Sequence, residues 1–281
     1  MRSADGRMAL VEHLRELRNR LAVSLLALTI CVVVALVLRE QLFDLLKRPY
    51  CMTEVAQEAS RRSGNQCELF AFNPFEQFSV SLRVSLIAGV VASAPVWLYQ
   101  LGAFITPALH RKEKRYAAAF LSAALVLFVT GTVFAYFTIS RGLQFLLSFG
   151  GDGIVTLPSI QSYLSFVTLT LLAFGVAFLF PVIVLFLNFV GIFPTRQMRS
   201  WRRGMIVGIA VASAVLTPSQ DPFTFMAMGV PLYGLYEGCI VIGRVRERAL
   251  RRRRSVEPGA QALEQLGDDE TSYVADRPSP P

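Results

Sequence analysis

The chemistry that enzymes depend on is thin in this sequence. Only His13 and His110 are present as histidines, and no cysteine pair stands at ligand spacing, so zinc and haem sites have little to draw on. No glycine-rich loop precedes a Lys followed by Ser or Thr, which removes a nucleotide site of that type. No nucleophile stands beside a base in a recognisable pattern. An enzyme, a metal and a cofactor are therefore not expected. Charge is also scarce: 17% of the 281 residues are charged against 53% apolar, too little polar surface to cover a globule in water. A cleavable signal is not expected, since the opening is charged and the first apolar stretch is long, with no small-residue cleavage site. There is no internal repeat of the kind that builds many transporters.

What is present is a series of apolar blocks of bilayer-spanning size. A helix needs roughly 20 apolar residues to cross about 30 Å of hydrocarbon. The blocks predict an all-α integral membrane protein with six transmembrane helices at about 21–38, 79–104, 116–138, 162–190, 204–217 and 223–242. Pro181 predicts a kink in the fourth, because proline lacks the amide donor. The fifth and sixth are short: Met205–Thr217 and Phe223–Tyr236, before Glu237 interrupts, each offer only about 20 Å of clean apolar helix. Residues 1–20 read as an amphipathic segment at the inner surface, with Leu10, Leu14, Leu17 and Leu21 on one stripe. The long first outer loop should be structured as a cap, with a helix near Gln41–Leu46 that Pro49 stops. Residues 244–281 read as a disordered tail, poor in large apolar residues beyond Arg254.

Loop charge sets the orientation. Of 28 Lys and Arg, 21 fall in the N-terminus, the second and fourth loops and the C-terminal tail, which places both termini in the cytoplasm. Anionic lipid heads are the expected partner of these charges. Nucleic acid is not, because no nucleic-acid module accompanies them. Of the four cysteines, Cys31 and Cys239 lie within spans as small packing residues. Cys51 and Cys67 share the outer loop, where an oxidising compartment permits a disulfide but sequence does not require one.

A few polar residues stand out. Before the tail, the cytoplasmic segments hold 13 basic residues but only four acids: Asp5, Glu12, Glu16 and Glu113. Glu16 suits an i,i+4 pair with Arg20, and Glu113 suits pairing with Arg111, Lys112 or Lys114; each is also a scarce carboxylate able to receive a cationic ligand. Glu237 is either a functional acid in the sixth span or a Glu near the inner interface. Arg83 reads as a headgroup anchor, and Asp221 as the acceptor of a proline turn. An ion-coupled small-molecule transporter built on Glu237 and Arg83 is the alternative function that these residues allow.

Specific strings narrow the choice. HLRELRNRL (His13–Leu21), FNPFEQF (Phe72–Phe78), APVWLYQLGAFITPALHRKEKR (Ala94–Arg115), FAYF (Phe134–Phe137), SYLSF (Ser162–Phe166), FGVAF with PV (Phe174–Val182), LTPSQDPF (Leu216–Phe223) and PLYGLYE (Pro231–Glu237) resemble, in order, the TatC family. The resemblance implies the core receptor of twin-arginine translocation in a bacterial plasma membrane. Such a protein binds twin-arginine signal peptides of folded cargo, works with single-span TatA- and TatB-type subunits and further copies of itself, and draws on the proton gradient. Carried over residue by residue, it implies a signal-peptide site of Glu16 and Glu113 flanked by Arg18, Arg20 and Phe104. It also implies roles in function or assembly for Pro49, Phe72, Tyr136, Gln100, Asp221 and Glu237. A carboxylate suits an arginine reader, because guanidinium presents a rigid fork that lysine lacks. This sequence departs from the family at Leu179, where a Glu is usual. A mechanism that needs a carboxylate there must draw on Gln100, Glu237 or a partner's polar residue, or do without. The short fifth and sixth spans are expected to thin the bilayer beside them.

Overall fold

The computed structural model describes residues 10–53, 56–57, 60–61, 67, 69, 71–105, 114–148, 159–218 and 221–256. Among these every element is helical: α1 (Leu10–Val37), α2 (Arg39–Cys51), α3 (Pro74–Ala92), α4 (Ala94–Ile105), α5 (Lys114–Ser148), α6 (Ile160–Ala177), α7 (Phe180–Val190), α8 (Thr195–Ser200), α9 (Arg202–Leu216) and α10 (Pro222–Val256). The six crossings are α1, α3 with α4, α5, α6 with α7, α9 and α10. Five of these stretches are long and apolar enough to span by length and composition alone, and α9, with 15 residues or about 22 Å of helix, is the sixth. The end holding the start of α1 and the finish of α10 is called basal here, and the end holding α2 the cap end.

The apolar surface is turned outward as well as inward. Leu26 is 63% exposed and Val37 78%, and similar residues line α5, α9 and α10. In water so large an apolar surface would be untenable, whereas in lipid it meets its own kind while the helices satisfy their backbones internally. With little hydrophobic drive between helices in lipid, close backbone approach supplies cohesion. A Cβ on Gly131 would stand 2.7 Å from the Phe174 carbonyl, so α5 and α6 approach main chain to main chain only because that position is bare. Buried Phe174, Met228 and Tyr236 fill the space between α5, α6 and α10, while buried Phe128 packs against Ala94 and Leu98 of α4.

Local chemistry explains where the helices break. The second span divides at Ser93, two residues before Pro95, and the Trp97 indole N–H donates to the Val90 carbonyl at 3.1 Å. The fourth divides at Phe178–Leu179, just ahead of Pro181. α7 ends at Gly191, whose φ of +87° is the left-handed conformation that glycine adopts without strain.

Several boundaries differ from the sequence expectation. No glycine or proline lies between Leu10 and Val37, so the amphipathic start runs straight into the first span as one unbroken rod, α1. Its stripe residues Leu14, Leu17 and Leu21 are exposed. α5 continues ten residues past 138, to Ser148. α10 runs 35 residues to Val256, so helix occupies the first part of the segment expected as tail; residues 257–281 lie outside the described residues. Pro49 does not stop α2, which continues to Cys51. Proline removes the donor that would reach the Leu45 carbonyl four residues back, and the Tyr136 hydroxyl of α5 donates to that carbonyl at 3.0 Å. The next carbonyl, Leu46, receives the Tyr163 hydroxyl of α6 at 2.9 Å. Tyr50 packs beside Tyr163 and is buried, which pushes its phenol above the ordinary value and keeps it neutral. Cys51 and Cys67 are joined by a disulfide, their α-carbons 5.8 Å apart.

Candidate functional site

At the basal end, α1 lies against α4, and this places together residues about 80 positions apart. The Arg20 guanidinium donates from Nε (3.0 Å) and Nη2 (2.5 Å) to Glu16 Oε1, and from Nη1 to Gln100 Oε1 at 3.3 Å. One turn toward the N-terminus, the His13 ring stacks on Phe104 with centroids 4.5 Å apart. Helix periodicity accounts for the set: positions 13, 16 and 20 share one face, as do 100 and 104. Glu12, Arg15, Glu16, Asn19 and Arg20 line an open recess there.

The two oxygens of Glu16 are not equivalent. Oε1 takes both bonds from Arg20, while Oε2 is buried and accepts no hydrogen bond among the described residues. A buried carboxylate oxygen without a donor is costly, and charge-assisted bonds are the strong ones that relieve it. A donor that reached Oε2, such as a second cationic fork beside Arg20, would relieve that cost. Arg18 is exposed and lies two positions from both Glu16 and Arg20, so it does not join them on the helix face. Glu113 lies outside the described residues.

The other expected positions are distributed over the fold. Pro49 and Tyr136 meet at the Leu45 carbonyl, a pairing that neither position suggests by itself. Phe72 is 76% exposed, and its backbone N–H donates to Glu76 Oε2 at 2.8 Å. Asp221 is buried and accepts the Thr224 amide at 2.7 Å, holding the start of α10. Leu179 packs partly buried against the cluster of Ala94, Leu98 and Phe128. Gln100 turns to Arg20, so it does not take the place of an acid at position 179.

Glu237 binds Arg202 Nη2 at 2.5 Å and the Tyr233 hydroxyl at 3.0 Å, locking α10 to the first residue of α9 at the basal end. Arg83 instead donates to Ser165 Oγ on α6 at 2.7 Å. The transporter alternative required Glu237 and Arg83 in one midplane site, and they engage separate partners on separate helices. Among the described residues no group of His, Cys, Asp and Glu is placed to hold a metal.

Glu76 was missed as a site residue. Asn73 caps α3 by accepting the Glu76 amide at 2.9 Å, while the Glu76 carboxylate accepts from Phe72 N–H and, at 3.2 Å, from Gln161 N–H in the first turn of α6. One buried carboxylate thus serves the positive ends of two helices. The Asn-Pro-x-Glu spacing of a capping box was visible in the sequence, but the second helix was not.

Comparison with known proteins places this geometry. The family model described as Sec-independent protein translocase protein (TatC) matches residues 12–231. A protein of Frankia casuarinae called Sec-independent protein translocase protein TatC is 47% identical over 279 residues, covering 99% of this chain and 76% of the relative. The protein of that name from Aquifex aeolicus is 35% identical over 244 residues, covering 86% and 97%. A crystal structure of the twin arginine translocase receptor TatC in DDM superposes with a TM-score of 0.69 at 34% identity, over 82% of this chain and 99% of that one.

Proposed function

The chain belongs to the TatC family of Sec-independent protein translocases, and from that premise we propose that its basal recess reads the paired arginines of export signal peptides. The observation that carries the reading is the buried Oε2 of Glu16, which has no donor among the described residues and lies beside an oxygen that already takes two bonds from Arg20. A guanidinium fork satisfies that oxygen with directed, charge-assisted hydrogen bonds. The basic surroundings supply specificity: a ligand with misplaced cations meets repulsion everywhere except at the few acids. Glu113 is assigned as the second acid, Arg20 and Gln100 as the groups that fix Glu16, and Phe104, stacked on His13, as the adjoining wall.

On this reading the basal end faces a bacterial cytoplasm, in agreement with the loop charges, and the cap end faces outward. Folded cargo, single-span TatA- and TatB-type subunits and further copies of the chain complete the machine, and the proton gradient drives it. The signal peptide is recognised here and no bond is broken, so the chain acts as a receptor rather than a catalyst.

The test uses the full chain in nanodiscs and a signal peptide carrying a photo-cross-linker next to its arginine pair. Cross-linking to α1 is expected, falling about 30-fold when Glu16→Gln weakens the charge-assisted contact by about 2 kcal/mol. It should fall comparably when the peptide's arginines become lysines. Equal capture of the lysine peptide would overturn the reading.

A further inference from the structure

α10 outlasts its span. It is anchored at the basal rim, where a Cβ on Gly243 would stand 2.7 Å from Thr195 Oγ1. Arg246 there donates to the Asn188 and Phe189 carbonyls at 3.3 and 3.2 Å, its guanidinium 4.1 Å above the Phe189 ring. Beyond this collar the same helix continues to Val256, with Glu247 and Arg248 exposed. The stretch from 244 to 254 carries seven arginines and one acid, and four of those arginines are consecutive, Arg251–Arg254. The next 25 residues, 257–281, have the opposite sign: Glu257, Glu264, Asp268, Asp269, Glu270 and Asp276 against Arg277.

We propose that the acidic segment 257–281 docks on the arginine-rich extension of α10. Charge complementarity selects the occupant, and geometry separates it from the other polyanion nearby, the membrane. Because α10 is unbroken, Arg251–Arg254 stand about 12–17 Å along the helix axis from Gly243. The field of anionic headgroups decays over a Debye length of about 8 Å at physiological salt. The acidic segment has no such distance to bridge. Twenty-five residues of random coil would span roughly 25–30 Å, against about 20 Å for the whole extension from Gly243 to Val256. Tethering gives it an effective concentration on the order of millimolar without any further contact. Single exposed ion pairs are weak, so the association is multivalent, salt-sensitive and without one fixed pairing. Held on α10, these carboxylates are withdrawn from arginines arriving at the Glu16 recess. That consequence rests on the receptor reading, whereas the docking itself does not.

The experiment places p-benzoylphenylalanine at Tyr273 in the full chain, one copy per nanodisc, and maps photo-cross-links by mass spectrometry. Phosphatidylcholine discs are compared with discs that also contain phosphatidylglycerol. Cross-links to 244–256 are expected in both. Their yield should drop about fivefold in the Asp268→Asn, Asp269→Asn, Glu270→Gln variant, and similarly on raising salt to about 0.5 M. Cross-links elsewhere, a yield indifferent to the triple variant and to salt, or loss of the signal when phosphatidylglycerol is present would each overturn the proposal. The last result would assign the extension to the lipid surface.

Discussion

Glu76 and Glu16 are both glutamates in the first two turns of a helix, and the protein treats them in opposite ways. The Glu76 carboxylate is buried and both its oxygens are occupied, by the backbone N–H of Phe72 just ahead of α3 and that of Gln161 in α6. Glu16 is half-buried, its one occupied oxygen held from its own helix by Arg20, and its other oxygen has no donor among the described residues. The cap end around Glu76 is built the same way throughout, with a disulfide and two tyrosine hydroxyls closing α2 against α5 and α6. The basal recess is built from an i,i+4 pair and a ring stack. A completed hydrogen-bond network rigidifies, whereas an incomplete one stores readiness for a ligand. On the proposed reading the first end serves as scaffold and the second as reader.

That contrast can be broken at several points. The largest stability effect should come from Cys51→Ser, which opens a loop of about 16 residues and costs about 3 kcal/mol in the chain-entropy model. Denaturation of the reconstituted chain measures it, and equal stability with and without the bond would remove the disulfide from the scaffold. Next comes a paired comparison by thermal melting. Glu76→Ala uncaps two helices and should lower Tm by about 5 °C. Glu16→Ala removes only a helix-surface pair worth about 0.5 kcal/mol and should leave Tm within about 2 °C. Equal losses would erase the distinction between the two ends. The smallest effect is the most specific. Tyr136→Phe leaves the Leu45 carbonyl without its donor and should cost about 1 kcal/mol. Adding Pro49→Ala restores a backbone N–H in register with that carbonyl, so the double variant should recover most of the loss. Simple additivity of the two substitutions would show that the hydroxyl and the proline are not coupled.

The spans were legible in the sequence because the bilayer imposes length and apolarity on each one separately. Their ends were not, because ends depend on partners far along the chain. Pro49 reads locally as a stop, yet α2 passes through it with the help of a hydroxyl 91 positions from Leu45. Glu237 reads either as a functional acid in the sixth span or as a Glu near the inner interface, and local spacing does not reveal Arg202, 35 positions away, which pairs with it. Gln100 looked available to replace an acid in the fourth span until Arg20 was seen to occupy it. At the candidate site, the identities of Glu16, Arg20 and Phe104 came from the family resemblance. What the structure adds is the inequality of the two Glu16 oxygens, which no spacing rule encodes. Glu76 shows the same limit: its capping box was readable, but its hold on α6, 85 positions away, was not.

The bond between Cys51 and Cys67 has a further consequence on the proposed orientation. Thiols kept in a reducing cytoplasm do not pair stably, so an inverted chain would keep both sulfurs reactive. The bridge therefore acts as a chemical record of correct insertion. Counting alkylatable cysteines before and after reduction would report what fraction of newly made chains had delivered their cap to the far side of the membrane.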